Sequence, residues 1–200
     1  MKTQPDGRGG ISWKKYIEKT STNKPRALLV EALPYVGSRE AVLDLGAGAL
    51  VDSKYLLSQG FKKVIAVDDD LAAEEKSQEI KDTHFSFVKT KFENYTYPPE
   101  TYDLINGQYA FSFIQPDQFF DVMSDVFGSL KKNGIITGQI FGDRDGWNVS
   151  GSGKSFLTRQ QFDKLFSTFS IIKIHEEEKD DKTALGKPKH WHLFHFIAKK

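Results

Sequence analysis

The chain contains no cysteine among its 200 residues. Disulfide bonds, thiolate metal sites and cysteine nucleophiles are therefore excluded. The chain also has little excess charge of either sign, because 28 basic and 27 acidic residues leave a formal net charge of +1. Such a balance favours neither nucleic acid nor an anionic membrane as the main partner, so neither is expected.

Long hydrophobic runs are missing as well. No window of the sequence approaches the ~20 apolar residues that span a bilayer, and the polar first ten residues do not resemble a secretory signal. We therefore expect a cytoplasmic protein. What the chain does have is a large aromatic content, with 16 Phe, 7 Tyr and 3 Trp. A chain of this length suits one domain with a full-sized core.

Short apolar runs alternate with helical patterns along most of the chain. Strands are predicted at 41–45, 63–67, 84–88, 102–106, 135–141, 169–174 and 191–198. Helices are predicted at 51–58, 71–80 and 119–130, and a further one after the capping box of Thr158 and Gln161. This alternation predicts an α/β fold with a mostly parallel sheet between two layers of helices.

The two ends of the chain depart from that alternation. Residues 1–38 precede the first strand, contain a predicted helix around 25–33, and are expected to form a helical lid over a core of residues 39–200. The last two predicted strands flank an acidic segment, 176–189, which we expect to be a mobile loop. Together they predict a terminal hairpin, so one of its strands should run antiparallel to the rest of a single-domain sheet.

The most informative segment is Val-Leu-Asp-Leu-Gly-Ala-Gly at 42–48. Glycines at the carboxyl end of a buried strand let the backbone approach a ligand, and the following helix offers free N–H groups. Asp44 adds an acceptor suited to an ammonium group. About twenty residues later, Asp68 and Asp69 end the second strand, where a carboxylate suits the hydroxyls of a ribose.

These acidic groups predict an extended ligand with an amine at one end and a ribose at the other. S-adenosylmethionine has both. A nicotinamide dinucleotide is the alternative, but it favours a third glycine at the position that holds Val51.

Residues 42–48 resemble motif I of the class I methyltransferases, and Asp68 resembles the acidic residue of their second motif. Further resemblance lies in Phe92-Glu93-Asn94, in 102–106 and in 130–135. Segments 138–147 and 186–192 look like a small bacterial subfamily that is similar to tellurite-resistance methyltransferases. The resemblance implies a Rossmann-like three-layer fold, with seven strands and an antiparallel C-terminal strand, and S-adenosylmethionine as cofactor.

The motifs and the resemblance together give the expected cofactor-binding residues. They are Asp44, Gly46, Ala47, Gly48, Asp68, Asp69, Phe92, Glu93, Asn106, Gln108, Trp13 and Arg26. One departure is Leu50, which stands where the family often has a third glycine and is expected to crowd the loop.

Five residues are candidates for handling the methyl acceptor: Arg144, Trp147, His190, His192 and Tyr109. Arg144 is suited to an oxyanion, although an ion pair that merely orders its own loop is an equal alternative. His190 and His192 share one face of a predicted strand and are expected to line the pocket or to accept a proton. No metal is expected, because no carboxylate in a familiar spacing joins them.

The sequence thus predicts methyl transfer from S-adenosylmethionine to a small molecule by a monomer or weak homodimer. Two alternatives stay open at this point. One is a nicotinamide-dependent oxidoreductase, and the other is a binding protein that keeps a methyltransferase fold without turnover.

Overall fold

The computed structural model describes residues 12–200. Its helices are α1 (Trp13–Thr20), α2 (Ala27–Ala32), α3 (Val51–Ser58), α4 (Leu71–Ser77), α5 (Phe119–Ser129) and α6 (Arg159–Leu165). Its strands are β1 (Val42–Leu45), β2 (Val64–Asp68), β3 (Phe85–Lys89), β4 (Tyr102–Gly107), β5 (Leu130–Phe141), β6 (Ser170–Lys182) and β7 (Pro188–Lys199). Within this part of the chain, no helix is both long and apolar enough to cross a membrane.

Local sequence signals explain where several helices begin and end. The capping box is confirmed at α6, where Thr158 and Gln161 each accept a hydrogen bond from the other's backbone N–H. Asp70 caps α4 by accepting from the N–H of Ala72 at 2.8 Å. Gly60 follows α3 with φ +82°, a left-handed conformation that glycine adopts without strain.

The seven strands form one sheet in the order β3-β2-β1-β4-β5-β7-β6. Strands β1 to β5 run parallel to one another, while β7 runs antiparallel to both β5 and β6. The mostly parallel sheet with an antiparallel C-terminal strand is therefore confirmed. Because β1 to β5 are parallel, their carboxyl ends meet at one edge of the sheet, and a ligand is expected there.

Helices cover both faces of this sheet and give it three layers. On one face, α5 and α6 pack on the strands through apolar side chains that include Met123, Val126 and Phe162. On the other face, α2 and α3 pack through Leu29 and Leu56. The sheet is thus buried on both sides, as parallel sheets require.

The expected N-terminal lid divides into two parts with different surroundings. Helix α2, which matches the helix predicted around 25–33, lies in the core against β5 and β7, and its Leu29 is fully buried. Helix α1 instead packs against α4 through Ile17 and Ala73, and its Trp13 lines the main cavity. Only α1 therefore has a lid's position among the described residues, and residues 1–11 lie outside them.

The mobile loop expected at 176–189 was a wrong prediction. Residues 176–182 continue β6 and 188–189 begin β7, so only five residues form the turn of a long hairpin. Acidic side chains are tolerated in β6 because cations face them, as Lys179 does at 2.9 Å from Glu177. The turn closes through the N–H of Thr183, which donates to the carbonyl of Lys187 at 2.8 Å.

Candidate active site

A cavity of about 820 Å³ opens at the carboxyl edge of the parallel strands. Segments that follow β1, β2, β3, β4 and β5 line it from below, and the β6–β7 hairpin lines it from one side. All three tryptophans of the chain, Trp13, Trp147 and Trp191, contribute to its walls. We distinguish a glycine-loop side, lined by Gly46, Gly48, Asp68, Phe92 and Glu93, from a hairpin side, lined by Tyr109, Phe113, Trp147, Lys154 and Trp191.

The glycine loop owes its shape to two positions with positive φ. Gly46 has φ +69°, and a Cβ there would lie 2.6 Å from the Cβ of Ala110. Gly48 has φ +48°, and its N–H donates to Asp68 Oδ2 at 2.9 Å. Asp68 also accepts from the N–H of Asp70 at 3.0 Å. The carboxylate of Asp68 is thereby fixed between the loop and β2, at the cavity wall.

A second, smaller cavity of about 50 Å³ lies beneath the loop and is lined by two carboxylates, the buried Asp44 and the half-buried Asp52. Asp44 and Asp52 both accept from the amide of Asn106, at 2.8 and 3.4 Å. Burial and the nearby charge of Asp52 raise the pKa of Asp44 to about 7 from an ordinary 3.8. Burial also raises the pKa of Asp52. This pair would be stabilised by a cation placed between the two carboxyl groups.

One arginine borders the same small cavity. Arg26 precedes α2, and its backbone N–H donates to Asp52 Oδ1 at 2.9 Å. Its guanidinium donates to the hydroxyl of Tyr16 at 2.9 Å and lies 5.2 Å from the ring centre of Tyr109. Two acids and one arginine around a small polar cavity suit a zwitterionic amino-acid group, with its ammonium at the acids and its carboxylate at Arg26.

A chain of amide side chains connects these acids to the other side of the cavity. Asn106 accepts from Gln108 at 2.9 Å, and Gln108 accepts from Gln139 at 3.0 Å. Gln139 in turn accepts from the backbone N–H of Tyr109 at 2.8 Å, which holds Tyr109 at φ +58°. The network fixes Gln108 and Tyr109 at the cavity while Asn106 stays fully buried below it.

Leu50 does not crowd this site. Its backbone has φ +60° at the start of α3, and its side chain is fully buried. It borders neither of the two cavities. The large side chain therefore fills the core behind the loop, and the expected crowding is absent.

The remaining residues expected to bind a cofactor also lie at the two cavities. Asp69, Phe92 and Glu93 line the large one, where Glu93 accepts from the N–H of Gln115 at 2.9 Å, and Ala47 lines the small one. The indole N–H of Trp13 is buried and lacks a hydrogen-bond partner within residues 12–200. A ligand in the cavity would supply that partner.

Comparison with known proteins agrees with this geometry. A family model described as a methyltransferase domain matches residues 42–134, which hold the glycine loop, Asp68, Glu93 and Asn106. The chain has the class I methyltransferase fold. No curated protein sequence matches the chain.

Solved methyltransferase structures share this fold at low sequence identity. The chain superposes on a 1,6-didemethyltoxoflavin-N1-methyltransferase from Burkholderia thailandensis with a TM-score of 0.66 at 20% identity, over 88% of this chain and 77% of that one. TehB from Haemophilus influenzae gives 0.73 at 16% identity, over 92% and 65%. A SAM-dependent methyltransferase from Archaeoglobus fulgidus gives 0.65 at 17%, over 92% and 94%. At these identities the likeness concerns the fold alone.

Of the five candidates for the acceptor, two line the cavity of this methyltransferase fold. Trp147 and Tyr109 each approach the ring of Trp191, at 5.7 and 6.1 Å between ring centres. Trp147 also contacts Phe113, at 6.4 Å. The hairpin side of the cavity is therefore mainly aromatic.

Arg144, His190 and His192 do not reach the cavity, contrary to expectation. The half-exposed guanidinium of Arg144 pairs with Glu178 of β6 at 2.8 Å and lies 3.6 Å from Asp143 of its own loop. The contact with Asp143 is the ion pair within the loop that was considered as the alternative. His190 is bonded to Asp180 at 2.8 Å. Within residues 12–200, no group of three metal-ligating side chains is arranged to hold an ion.

The position of His192 shows why the expected face of β7 was wrong. Its ring is fully buried, and it fills the space that a Cβ at Gly142 would occupy. Its neighbours Trp191 and Leu193 line the cavity instead. Successive side chains of a strand point to opposite faces of the sheet. The prediction placed His190 and His192 at the cavity, and the structure places their neighbours on the other face, Trp191 and Leu193, there instead.

Two buried lysines that lie against the aromatic rings of the hairpin side were missed. Lys189 is buried and pairs with the buried Asp145 at 2.5 Å, and its ammonium lies 3.5 Å from the ring centre of Trp191. Lys154 lines the cavity, with its ammonium 5.5 Å from the ring centre of Trp147. The Asp145–Lys189 pair spans 44 positions of sequence, and no local pattern indicates it.

Proposed function

We propose that the chain is a single-domain methyltransferase that uses S-adenosylmethionine to methylate a small molecule. The observation that carries the proposal is the placement of Asp44, Asp52 and Arg26 at one end of the glycine loop and Asp68 at the other. These groups match the amino-acid end and the ribose of that cofactor. The structure of the Burkholderia thailandensis relative contains S-adenosylhomocysteine and a small molecule, which supports the same assignment here.

Each part of the proposed cofactor has a place along this row of residues. Its ammonium group would lie near Asp44 and Asp52, and its carboxylate near Arg26. Asp68 would accept from the ribose hydroxyls, while Phe92 packs on the adenine and Glu93 accepts from its amine.

When bound, S-adenosylmethionine supplies a methyl group on a positively charged sulfur. The protein's part is to align the acceptor and to exclude water. Tyr109, held at φ +58° by Gln139, and the rings of Phe113, Trp147 and Trp191 are placed for both tasks.

The nicotinamide alternative is disfavoured by charge. A dinucleotide would place its pyrophosphate at the glycine loop, where Asp44, Asp52 and Asp68 would repel it. The other alternative, a binding protein without turnover, is distinguished from an enzyme by a turnover assay. Monomeric or weakly dimeric assembly and a cytoplasmic location stay predictions.

The decisive experiment is calorimetry with S-adenosylmethionine and S-adenosylhomocysteine, followed by a turnover assay for S-adenosylhomocysteine over a panel of small acceptors. We expect micromolar binding of both compounds. Asp68→Lys should abolish binding, because an ammonium replaces the carboxylate that holds Gly48 and faces the ribose.

The matched control is Asp163→Lys, which makes the same charge change at an exposed aspartate on α6 that lines neither cavity. This variant should bind as the unmodified chain does. Normal binding by Asp68→Lys would refute the proposed cofactor placement. Binding without turnover of any acceptor would favour the non-catalytic alternative.

A further inference from the structure

The hairpin side of the cavity combines aromatic rings with an excess of positive charge. Its rings touch in an unbroken series, from Trp13 to Phe113 at 5.2 Å, from Phe113 to Trp147 at 6.4 Å, and on to Trp191 and Tyr109. Aromatic walls of this kind bind flat apolar groups by stacking and edge contacts.

Two buried lysines lie against these rings and share one buried carboxylate. Asp145 pairs with Lys189, and the same residue is the acid whose charge acts on Lys154. Asp145 is further engaged by the backbone N–H groups of Trp147 at 2.9 Å and His192 at 3.2 Å. One of these two buried ammonium groups is therefore left without a carboxylate of its own.

Lys154 carries that charge. The residue is more than nine-tenths buried, and within the described chain its ammonium donates one hydrogen bond, to the carbonyl of Ser152 at 3.2 Å. An ammonium has three donors, so two remain for a ligand. Burial lowers the pKa of Lys154, as expected for a cation that lacks a close counter-charge.

The two lysines also determine which charge is favourable for a ligand that lies between these rings. The ammonium of Lys189 lies 3.5 Å from the ring centre of Trp191 and 4.4 Å from that of Trp147. The ammonium of Lys154 lies 5.6 Å from the ring centre of Phe113. A cationic acceptor between the same rings would be repelled by both lysines, whereas an anionic one would be attracted.

We infer that the acceptor is a planar aromatic anion, with its ring against Trp147 and Trp191 and its negatively charged group bound by Lys154. This inference rests on the proposed function, since it names the substrate class of the same site. It extends that function because the charge and shape of the acceptor follow from residues that the cofactor does not use.

The test compares three probes of one shape and different charge: 2-naphthoate, 2-naphthylmethanol and 2-naphthylmethylammonium. Each is titrated into the full chain by calorimetry with saturating S-adenosylhomocysteine. We expect 2-naphthoate to bind at least about tenfold more tightly than either of the others, as a charge-assisted hydrogen bond to a buried ammonium implies.

Variants of Lys154 separate charge from shape. Lys154→Met keeps the apolar stem and should remove the preference for 2-naphthoate, while Lys154→Arg should retain it. The matched control, Lys164→Met, removes an exposed lysine of α6 and should leave the preference unchanged. The affinity for S-adenosylhomocysteine should persist in all three variants, which shows that they are folded.

The inference is overturned if the three probes bind equally, if the cation binds best, if none binds, or if the preference survives in Lys154→Met. Failure of the proposed function would give a different calorimetric result. In that case S-adenosylhomocysteine itself would not bind to the unmodified chain.

Discussion

The two sides of the cavity are built in different ways. On the glycine-loop side, the key groups follow directly after β1 and β2, and backbone N–H groups hold them, as Gly48 and Asp70 hold Asp68. On the hairpin side, the key groups come from distant segments and are held by one another, as Asp145 and Lys189 are. The first arrangement depends on local chain geometry, and the second depends on strand pairing and on a buried ion pair.

The difference has a chemical counterpart. The glycine-loop side carries the acids Asp44, Asp52 and Asp68, whereas the buried charges of the hairpin side are Lys154 and Lys189 against one buried acid, Asp145. Opposite charges at the two sides suit two ligands of opposite character, a cationic cofactor and an anionic acceptor. Each side of the cavity should therefore be open to substitution without loss of the other side's ligand.

Breaking the buried ion pair should have the largest effect. Lys189→Met leaves Asp145 buried without its cation, and both side chains are at most 2% exposed. We expect the free energy of unfolding to fall by about 3–5 kcal/mol, measured by chemical denaturation. The chain that remains folded should still bind S-adenosylhomocysteine, because the glycine loop is held by other contacts.

The double variant Asp145→Asn with Lys189→Met is the control for this effect. Removing both charges should restore part of the stability lost in Lys189→Met, because no charge is then buried alone. Equal stability of Lys189→Met and the unmodified chain would show that the pair does not support the hairpin side. A parallel loss of cofactor affinity would show that the two sides are not separable.

A pH titration should change cofactor affinity through the acids of the glycine-loop side. The pKa of Asp44 is raised to about 7, above the ordinary 3.8, so the folded chain holds a proton there that the unfolded chain releases. Without ligand, this group's contribution to stability is greatest below about pH 4 and is lost as the pH rises through 7. A bound ammonium favours the ionised carboxylate and reverses this preference.

Affinity for S-adenosylhomocysteine should therefore increase between pH 5 and 7, by up to about tenfold per unit, and level off above 7. Calorimetry in buffers of different ionisation enthalpy should detect release of a proton on binding. Asp44→Asn should bind more weakly and show a smaller pH dependence, because only Asp52 then remains to be ionised beside the ammonium. Affinity that stays constant from pH 5 to 7 would argue against an ammonium beside Asp44.

The sequence predicted the glycine-loop side well because its signals are local. A buried strand, two glycines and an acidic residue at the next strand end fall within 42–70, and parallel strands must bring them to one edge. The general position of the cavity therefore follows from the order of residues along the chain. Asp52 was missed as a partner of Asp44, although it lies in the first turn of α3, close to the loop.

The hairpin side could not be derived in the same way. Strand β7 lies between β5 and β6 in the sheet, and successive residues at 192–194 and 196–198 are buried, so its sequence has no alternation to reveal which face meets the cavity. The acidic run at 176–182 looked like a loop because some of its stabilising cations lie elsewhere in the sequence. Arg144, which pairs with Glu178 from 34 positions away, is one of them.

The smallest effect on kcat/KM is expected for a substitution of Arg144. This variant tests whether the acceptor site extends to the outer face of the hairpin. Its side chain is 51% exposed and its partners, Glu176 and Glu178, lie outside the cavity. Arg144→Gln should leave kcat/KM for any accepted substrate within about twofold, as exposed ion pairs contribute little. Trp147→Ala, measured in the same assay, should lower it more than about tenfold because the ring forms the cavity wall. If Arg144→Gln instead proved the more damaging variant, the acceptor would have to approach from the outer face of the hairpin, and the aromatic side of the cavity would lose its proposed role.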